Sequence, residues 1–285
     1  MVRIALVYDV ARWEEKALIK AAMTRSVYIE PVHLKSIPLY IGSSLQRPLE
    51  DADIVLQRSL SHYIALESTV ILESLGYRVV NKSTAIAIVH DKIWTLCRLL
   101  QHRIPIPRSA VVFSEEAGRK VAENIGYPIV IKPVNGSWGR LVSLAENSEA
   151  LRTIIEHRSH IPNPVFRIHL MQEFVKKPNR DIRIFVVGEE APVAIYRVSN
   201  HWITNTARGG KAVPAPISSE LEDLAIRAAK AVNAEIVGID VFEDPRRGYI
   251  VNEINAVPDF KNTVAVTGYD LPGKIIDYLI EQVKR

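Results

Sequence analysis

The first third of the chain alternates between short apolar runs and segments of helical spacing, and this alternation constrains the fold more than any other feature. The apolar runs and the helical segments between them are, in chain order, 3–10, 13–25, 27–34, 53–56, 63–75 and 77–80. Strands that alternate with helices pair mostly in parallel, with the helices packed on the faces of the sheet. The sequence therefore predicts an N-terminal α/β domain of residues 1–85.

The rest of the chain has strand-like runs that lie closer together. A helix is predicted from Ser83 to about His102, within a central α+β unit of residues 86–170. The final unit, residues 171–285, is richer in predicted strands and ends in a helix. The predicted fold class is thus α/β followed by α+β.

Composition excludes several classes of protein. A single cysteine, Cys97, excludes an internal disulfide and a cysteine zinc site, and its apolar helical surroundings predict a buried thiol. No apolar run reaches the roughly 18 residues of a membrane span and no signal peptide is found, so we expect a cytoplasmic protein that binds no membrane. The net charge of +4 comes from scattered Lys and Arg residues, which argues against the rival reading of a nucleic-acid-binding protein.

Two predicted strands near the C-terminus carry three oxygen-bearing side chains. Asp240 lies in one apolar strand, and Glu253 and Asn255 share one face of the next. A hairpin of these strands would set the three side chains close together. Two carboxylates and an amide suit Mg²⁺, which binds through a few oxygen ligands, waters and substrate phosphates. The alternative is that they are solvent-facing residues of a half-buried hairpin.

An apolar strand also ends in a lysine, Lys132, which is followed by a glycine-containing loop, Gly136–Arg140. An ammonium group in that position is costly unless it meets an anion, and the loop can bring backbone N–H groups close to phosphates. The loop matches neither the P-loop nor the dinucleotide fingerprint, and a glycine loop alone is usually a turn. Lysine, glycine loop and metal-type hairpin together indicate phosphoryl transfer.

Two further segments have patterns that fit nucleotide or acyl-phosphate binding. The run Glu173–Val175 can offer backbone groups to an adenine edge, and Asp181 and Arg183 follow on one strand face. Arg197 and Arg208 can each bind carboxylate or acyl-phosphate oxygens through two hydrogen bonds. Taken alone, the first segment also fits a hairpin with an exposed charge pair, and the second fits a surface turn.

With these elements in this order, the chain resembles the RimK-like and LysX-like branch of the ATP-grasp superfamily over nearly its whole length. The motifs that carry the resemblance are Asp91-Lys92, Ile131-Lys132-Pro133, Gly136–Leu141, Arg180–Arg183, His201–Gly210 and Asn252–Asn255. The resemblance implies an ATP-grasp fold preceded by a pre-ATP-grasp domain, with ATP between the central and C-terminal domains. It also implies that the cofactors are ATP and two Mg²⁺ ions.

The resemblance also assigns roles to residues. The implied ATP contacts are Lys92, Lys132, Gly136, Ser137, Trp138, Gly139, Arg140, Leu141, Gln172, Glu173, Phe174, Val175, Asp181, Arg183 and Asn205. The implied metal ligands are Asp240, Glu253 and Asn255. The implied substrate contacts are Arg197, Thr206, Ala207, Phe260, Lys261, Asn262, Thr263 and Val264, and the implied catalytic residues are Arg197 and Arg208.

The reaction implied by the resemblance joins an amino acid to a carrier protein, as a step of lysine biosynthesis. ATP phosphorylates the side-chain carboxylate of the C-terminal glutamate of LysW, a small acidic carrier. The amino group of L-2-aminoadipate then displaces phosphate. A basic chain is compatible with an acidic partner, and members of this branch are commonly homodimers or homotetramers.

These motifs leave the choice of amino acid open. The dipeptide Asn262-Thr263 resembles that of the aminoadipate-using members, whereas the glutamate-using members have Gly-Phe there. The segment Ala256–Asp259 is instead closer to the glutamate-using members, and one methylene changes binding by only about 1–3 kcal/mol. Three alternatives therefore remain: a glutamate–LysW ligase of arginine biosynthesis, a ligase that uses both amino acids, and a RimK-like ligase that adds glutamate to a ribosomal protein.

Overall fold

The N-terminal part of the chain forms a parallel sheet. The computed structural model describes residues 2–42, 49, 51–136, 139–204 and 209–284. The first strands are Arg3–Tyr8 (β1), Tyr28–His33 (β2), Ile54–Gln57 (β3) and Val79–Val80 (β4), in the sheet order β2-β1-β3-β4. Helix Trp13–Thr24 (α1) connects β1 to β2, and helix His62–Ser74 (α2) connects β3 to β4. This is the arrangement that the alternating pattern predicts.

The predicted helix from Ser83 to His102 is two helices. Ser83–His90 (α3) ends at Asp91, and Lys92–Gln101 (α4) begins directly after it. The Asp91 carboxylate accepts hydrogen bonds from the backbone N–H groups of Ile93 and Trp94, which caps the new helix. The prediction of one continuous helix is corrected, and the cap sets Lys92 in the first turn of α4.

The central part is an antiparallel sheet covered by two helices. Its strands are Ser109–Val112 (β5), Ile129–Lys132 (β6), Ser143–Ala145 (β7) and His169–Glu173 (β8), in the order β5-β8-β6-β7. Helices Glu115–Ile125 (α5) and Ser148–Ser159 (α6) bury Ala122, Leu151 and Ile155 against this sheet.

The C-terminal part is a larger antiparallel sheet. Its strands are Arg180–Val187 (β9), Glu190–Val198 (β10), Lys211–Pro214 (β11), Ile236–Asp244 (β12) and Gly248–Asn255 (β13), in the order β11-β10-β9-β12-β13. The helices are Ser219–Ala231 (α7), Lys261–Thr267 (α8) and Leu271–Lys284 (α9). Strand β11 and helix α8 have no counterpart in the elements predicted from sequence.

Apolar packing and strand pairing extend across the expected domain boundaries. Helices α3 and α4 bury Ala85, Ile88 and Leu99 in the same apolar core as α7 and the five-stranded sheet. The expected division at residues 170/171 falls inside β8, whose residues pair with both β5 and β6, so a division after Glu173 keeps that sheet whole.

Cys97 lies on the exposed face of α4, so the prediction of a buried thiol was wrong. Within the described ranges, no helix is long and apolar enough to cross a bilayer.

Asn81 fastens the N-terminal domain to the C-terminal sheet. It is 3% exposed, and its side-chain oxygen accepts hydrogen bonds from the backbone N–H groups of Glu235 and Ile236, at 2.8 and 2.9 Å. Its amide nitrogen donates to the carbonyl oxygens of Ile236 and Ala256, at 2.7 and 2.9 Å. One side chain therefore satisfies four backbone groups at the junction of the two parts.

Replacing Asn81 by leucine is expected to lower the free energy of unfolding by about 2–3 kcal/mol, because it leaves buried backbone groups unpaired. Urea unfolding followed by circular dichroism measures this loss. The matched control is Asn124→Leu on the exposed face of α5, where the expected change is within about 0.5 kcal/mol. Equal losses in the two variants would contradict the role of Asn81.

Candidate active site

Two cavities meet near the start of α4. The inter-sheet cleft lies between the central four-stranded sheet (β5–β8) and the C-terminal five-stranded sheet (β9–β13). Its lining includes Lys132, Phe174, Asp181 and Phe242. The domain cavity, of about 610 Å³, lies between the N-terminal domain and the five-stranded sheet. Lys92, Gly136 and Glu253 line both cavities. A group held at these three residues is therefore accessible from both sides.

The cationic end of the inter-sheet cleft holds two lysines. The ammonium group of Lys92 donates to the carbonyl oxygen of Gly136 at 2.6 Å and lies 3.2 Å from a carboxylate oxygen of Glu253. The ammonium group of Lys132 donates to the side-chain oxygen of Asn252 at 2.8 Å. Two cations beside a glycine loop form a site for a polyphosphate.

A β-bulge in β13 brings Asn252 into the site. Strict alternation of strand faces would place this residue on the face opposite to that of Glu253. In the hairpin of β12 and β13, Asp240 is opposite Glu253, but Val241 is opposite Val251, so Asn252 is the extra residue. A bulge breaks the strict alternation of faces and re-aims side chains. Asn252 and Glu253, although adjacent in sequence, therefore both line the inter-sheet cleft.

Burial makes the charge of Lys132 sensitive to pH. Desolvation lowers the pKa of its ammonium group from 10.5 to about 8, and the opposing attraction of Glu253 does not offset it. Phosphate groups beside the ammonium would raise this pKa again, so the nucleotide complex holds a proton that the free protein releases near pH 8.

Nucleotide affinity is therefore expected to be full below about pH 8 and to weaken by roughly tenfold for each pH unit above it, until the pKa of the complex is reached. Titration calorimetry with a nonhydrolysable ATP analogue from pH 6.5 to 9.5 measures this slope. Lys132→Met is expected to bind more weakly, with a smaller slope above pH 8. The same slope in both proteins would assign the pH dependence to another group.

The other end of the inter-sheet cleft is apolar and suits a flat aromatic base. Val130, Phe174, Val175, Ile203 and Phe242 contribute to its lining. The carboxylate of Glu173 is held at the rim, because Arg108 donates to it at 3.0 Å and Arg247 lies 2.7 Å from it.

A network of buried charges separates the two cavities. Arg197 is 4% exposed, and it donates to both carboxylate oxygens of Asp181, at 2.7 and 2.8 Å, and to Asp240 at 2.8 Å. Arg183 donates to Asp240 from two nitrogens, and Lys177 lies 3.8 Å from Asp181. Burial alone would lower the pKa of Arg197, but the two aspartates raise it above its usual value. Burial would likewise raise the pKa of Asp240, yet Arg183 and Arg197 hold it below the usual range.

The implied metal ligands are brought together on one hairpin. The strand register sets Asp240 opposite Glu253 and Gly238 opposite Asn255. The two arginines donate three hydrogen bonds to Asp240, so about one of the four lone pairs of its carboxylate stays available. Within the described ranges, no group of three or more Asp, Glu, His or Cys residues is arranged so that these residues alone could hold a metal ion. The donor set, two carboxylates and an amide, is hard and oxygen-rich, and it fits Mg²⁺ that is also bound by substrate phosphates.

The structure brings most of the implied ATP contacts together. Those that line the inter-sheet cleft are Lys92, Lys132, Gly136, Gly139, Arg140, Gln172, Glu173, Phe174, Val175 and Asp181. Arg183 instead lines the domain cavity, and Leu141 lines neither cavity. The carbonyl of Leu141 accepts a hydrogen bond from the buried Arg158, which also donates to the carbonyl of Lys132 and so ties the glycine loop to β6.

The implied substrate contacts are divided between the domain cavity and the core. Arg197, Lys261, Asn262 and Thr263 line the domain cavity. Phe260 is 1% exposed and packs against Trp13 and Arg58, and Val264 packs against the same core, so neither lines the cavity. Six assigned residues lie outside the described residues, namely Ser137, Trp138, Asn205, Thr206, Ala207 and Arg208.

Sequence reasoning missed several residues of the two cavities. The inter-sheet cleft is also lined by Lys177, Trp202, Thr204, Phe242 and Asn252, and the domain cavity by Ser59, His62 and His90 from the N-terminal half. Thr204 donates to Asp181 at 2.5 Å, and Lys177 donates to Thr204 at 2.7 Å. The sequence did give signals for some of these residues. Trp202, Thr204 and Asn252 lie within motifs that carry the family resemblance, and Lys177 lies close before Asp181.

Comparison with known proteins identifies the same fold. Residues 89–279 match the model of the RimK-like ATP-grasp domain, and residues 4–88 match the model of the LysX preATP-grasp domain. The chain is 43% identical over 283 residues to the alpha-aminoadipate–LysW ligase LysX of Sulfurisphaera tokodaii, with 99% of each chain covered. It is 36% identical to the glutamate–LysW ligase ArgX of the same organism, with 99% of this chain and 100% of the relative covered.

The three-dimensional comparison gives the same architecture. The structure is similar to the crystal structure of an ATP-grasp RimK domain protein from Sphaerobacter thermophilus, with a TM-score of 0.80 and 27% sequence identity. The match covers 97% of this chain and 99% of that one. Both the pre-ATP-grasp domain and the two sheets that follow it are therefore shared along the whole chain.

Proposed function

The chain belongs to the RimK-like ATP-grasp family, and on that premise we propose that it joins the amino group of L-2-aminoadipate to a carrier protein of the LysW type. ATP-grasp ligases use ATP and Mg²⁺ to form carbon–nitrogen bonds. The carrier carboxylate that reacts is the side chain of its C-terminal glutamate. This places the enzyme in lysine biosynthesis.

One geometric observation carries the proposal: Lys92, Gly136 and Glu253 line both cavities. ATP in the inter-sheet cleft would have its base at the apolar end and its phosphates at Lys92 and Lys132. A carboxylate that enters through the domain cavity would meet the terminal phosphate at the shared residues. Bringing the two reactants together in one geometry supplies much of the rate enhancement in phosphoryl transfer.

The charges at this junction suit an acyl-phosphate intermediate. Lys92 would stabilise the transferring phosphoryl group, since its ammonium lies at the shared wall. Arg197 keeps its third nitrogen, Nη1, without a partner among the described residues, and it lines the domain cavity where the acyl oxygen would lie. The rigid contacts to Asp181 and Asp240 hold this guanidinium in place. Arg208 is proposed as a second arginine for the same step.

Mg²⁺, proposed as two ions, would be held by Asp240, Glu253 and Asn255 and would neutralise phosphate charge during the transfer. The chain supplies the rest: the lysines orient the phosphates, and the apolar end of the inter-sheet cleft excludes water from the base. The neutral amine then attacks the acyl carbon and a C–N bond forms. Phosphate leaves with the electrons of the broken C–O bond, and the nitrogen releases one proton to solvent.

Glutamate is retained as a second amino-acid substrate because of Val257-Pro258. The carbonyl oxygen of Pro258 accepts hydrogen bonds from Arg58, at 3.1 and 3.2 Å, and Asp259 pairs with Arg12. This segment lines the domain cavity, so its shape contributes to how long a side chain fits. Discrimination by one methylene is limited to about 10–200-fold, which leaves room for slow use of glutamate.

Intact-mass spectrometry of the carrier tests the proposal. With ATP, Mg²⁺ and aminoadipate, the carrier is expected to gain a single aminoadipate residue, and to gain little with glutamate at the same concentration. Omission of ATP, Mg²⁺ or the carrier is expected to abolish product. Several glutamates added in series to a ribosomal protein, with no change in the carrier, would favour the RimK-like alternative. A homodimer or homotetramer stays a prediction for light scattering to test.

A further inference from the structure

The wall of the domain cavity contains polar atoms without partners. Five buried side-chain nitrogen or oxygen atoms in the described part of the chain lack a hydrogen-bond partner, and three of them belong to residues that line this cavity: Ser59, His90 and Asn255. A buried polar group without a partner is costly, so native structures keep few of them and often use them to bind ligands or water. Their concentration at one cavity indicates a ligand subsite.

Ser59 lies in a turn whose backbone N–H groups are hydrogen-bonded. It is 2% exposed and follows β3 at the carboxyl end of the parallel sheet, where α/β domains commonly bind ligands. Its backbone N–H donates to Gln57 at 2.8 Å, and those of Leu60 and Ser61 donate to Asp9 at 2.7 and 3.0 Å. The turn is therefore fixed, while one rotation about the Cα–Cβ bond can turn the Ser59 hydroxyl toward a ligand.

His90 is held against the same turn by ring stacking. Its imidazole stacks on that of His62, three residues after Ser59, with an interplanar angle of 5°. Burial, with smaller effects from His62 and Lys92, lowers the pKa of His90 to about 3, so the ring of the free protein is neutral. A neutral imidazole can donate one hydrogen bond, and the Nε2 atom of His90 is buried without a partner.

One lysine in the lining of the domain cavity has no ion-pair partner among the described residues. Among the carboxylates that line it, Asp240 is held by two arginines, Glu253 by Lys92 and Asp259 by Arg12. The carboxylate of Glu14 accepts two backbone N–H groups at the start of α8. Lys261, also in the lining, has no carboxylate partner within the described ranges. Its ammonium group is therefore available to pair with a carboxylate that enters the cavity.

From these contacts we infer that Ser59, His90 and Lys261 form the subsite for the side-chain carboxylate of the incoming amino acid, and that Ser59 and His90 determine specificity for it. The inference rests on the proposed function, because it assigns the amino-acid site of that reaction. It gives the N-terminal half of the chain a direct part in substrate choice. Two hydrogen-bond donors and an ammonium group together satisfy a carboxylate that leaves water.

A substrate comparison tests the subsite. The rate of carrier modification is measured with L-2-aminoadipate and with L-2-aminohexanoate, which has the same carbon chain but a methyl in place of the side-chain carboxylate. Ser59→Ala, and His90→Phe, which keeps a ring for stacking, are each expected to lower the kcat/KM ratio of aminoadipate to aminohexanoate by about tenfold or more, mainly through the KM for aminoadipate. The kcat/KM for aminohexanoate is expected to change less than about twofold.

Two controls separate recognition from folding. Ser59→Ala removes a hydroxyl that has no partner, so its melting temperature is expected to stay equal to or above that of the wild type. Ser68→Ala removes a buried hydroxyl that bonds to Gln57 and lies outside both cavities, so it is expected to be less stable with an unchanged substrate ratio.

The outcomes distinguish the inference from the function it rests on. A wild-type enzyme that modifies the carrier with aminoadipate, together with variants that keep the wild-type substrate ratio or lose both substrates equally, would overturn the subsite alone. A wild-type enzyme that modifies no carrier with any of these amino acids would overturn the proposed function and the subsite with it.

Discussion

Replacing Glu253 by glutamine is expected to slow carrier modification by about 10²–10³-fold, equivalent to about 3–4 kcal/mol of transition-state stabilisation. Glutamine keeps the size of the side chain and an oxygen that can accept from Lys92, so the fold is expected to be unchanged. What is lost is one negative charge at the wall shared by the two cavities, where Mg²⁺ and the transferring phosphoryl group would lie. Steady-state ADP release and intact mass of the carrier measure the effect.

The matched control for Glu253→Gln lies on the neighbouring strand. Glu243 on β12 is also a partly buried carboxylate, paired with Arg180, and it lines neither cavity. Glu243→Gln is expected to keep turnover within about twofold of the wild type. Raising the Mg²⁺ concentration should recover part of the activity of Glu253→Gln. Wild-type turnover in Glu253→Gln would show that this carboxylate binds no essential metal.

Replacing Arg197 by methionine is expected to lower the free energy of unfolding by about 3–5 kcal/mol, since removal of one partner leaves buried carboxylates uncompensated. Arg197 is 4% exposed and forms ion pairs with both Asp181 and Asp240. After the substitution, Arg183 is the one arginine of the described residues that still pairs with Asp240. Chemical unfolding at pH 7 measures the loss. The exposed pair of Arg227 and Asp223 provides the control, because Arg227→Met is expected to change stability by less than about 1 kcal/mol.

The pH dependence of the Arg197 variant gives a second signature. In the wild type the pKa of Asp240 is held low, so its contribution to stability is present above its unfolded pKa and is lost as the pH falls through its folded pKa. Without Arg197 the folded pKa of Asp240 rises, so the carboxylate of the variant is protonated at a higher pH than that of the wild type. The deficit of the variant should therefore shrink as the pH falls from 7 toward the pKa of this carboxylate. A deficit that stays constant throughout an acid titration would show that lost packing, not charge, causes it.

The sequence pattern was sufficient to predict those elements whose structure is determined by local periodicity. Alternating apolar runs predicted the parallel sheet, and the two strands around Asp240 and Glu253 do pair as a hairpin. Strict alternation of strand faces would place Asn252 on the face opposite to that of Glu253, and this is wrong. The bulge that turns Asn252 toward Lys132 depends on the pairing register and not on the local pattern. The sequence pattern failed at Asp91 for a related reason: a capping side chain competes with helix continuation, and the apolar spacing alone does not show which prevails.

Contacts between distant segments were out of reach. Arg183 and Arg197 read as ligand-binding cations, but their burial beside Asp240 follows from the pairing of three strands. Phe260 read as part of a substrate motif, yet it is anchored in the core by Trp13 and Arg58 from the N-terminal domain. Ser59 and His90 line the same cavity, and this places their polar atoms where a ligand could bind. No spacing in the sequence reveals that arrangement.

Trapping with hydroxylamine would show whether the carrier carboxylate is activated where the two cavities meet. The enzyme is incubated with ATP, Mg²⁺, carrier and hydroxylamine in the absence of amino acid, and the carrier is then analysed by peptide mass spectrometry. We expect a hydroxamate on the C-terminal glutamate of the carrier, dependent on ATP and strongly reduced in Glu253→Gln. No trapped carrier, together with a hydroxamate of aminoadipate when that amino acid is added, would contradict it.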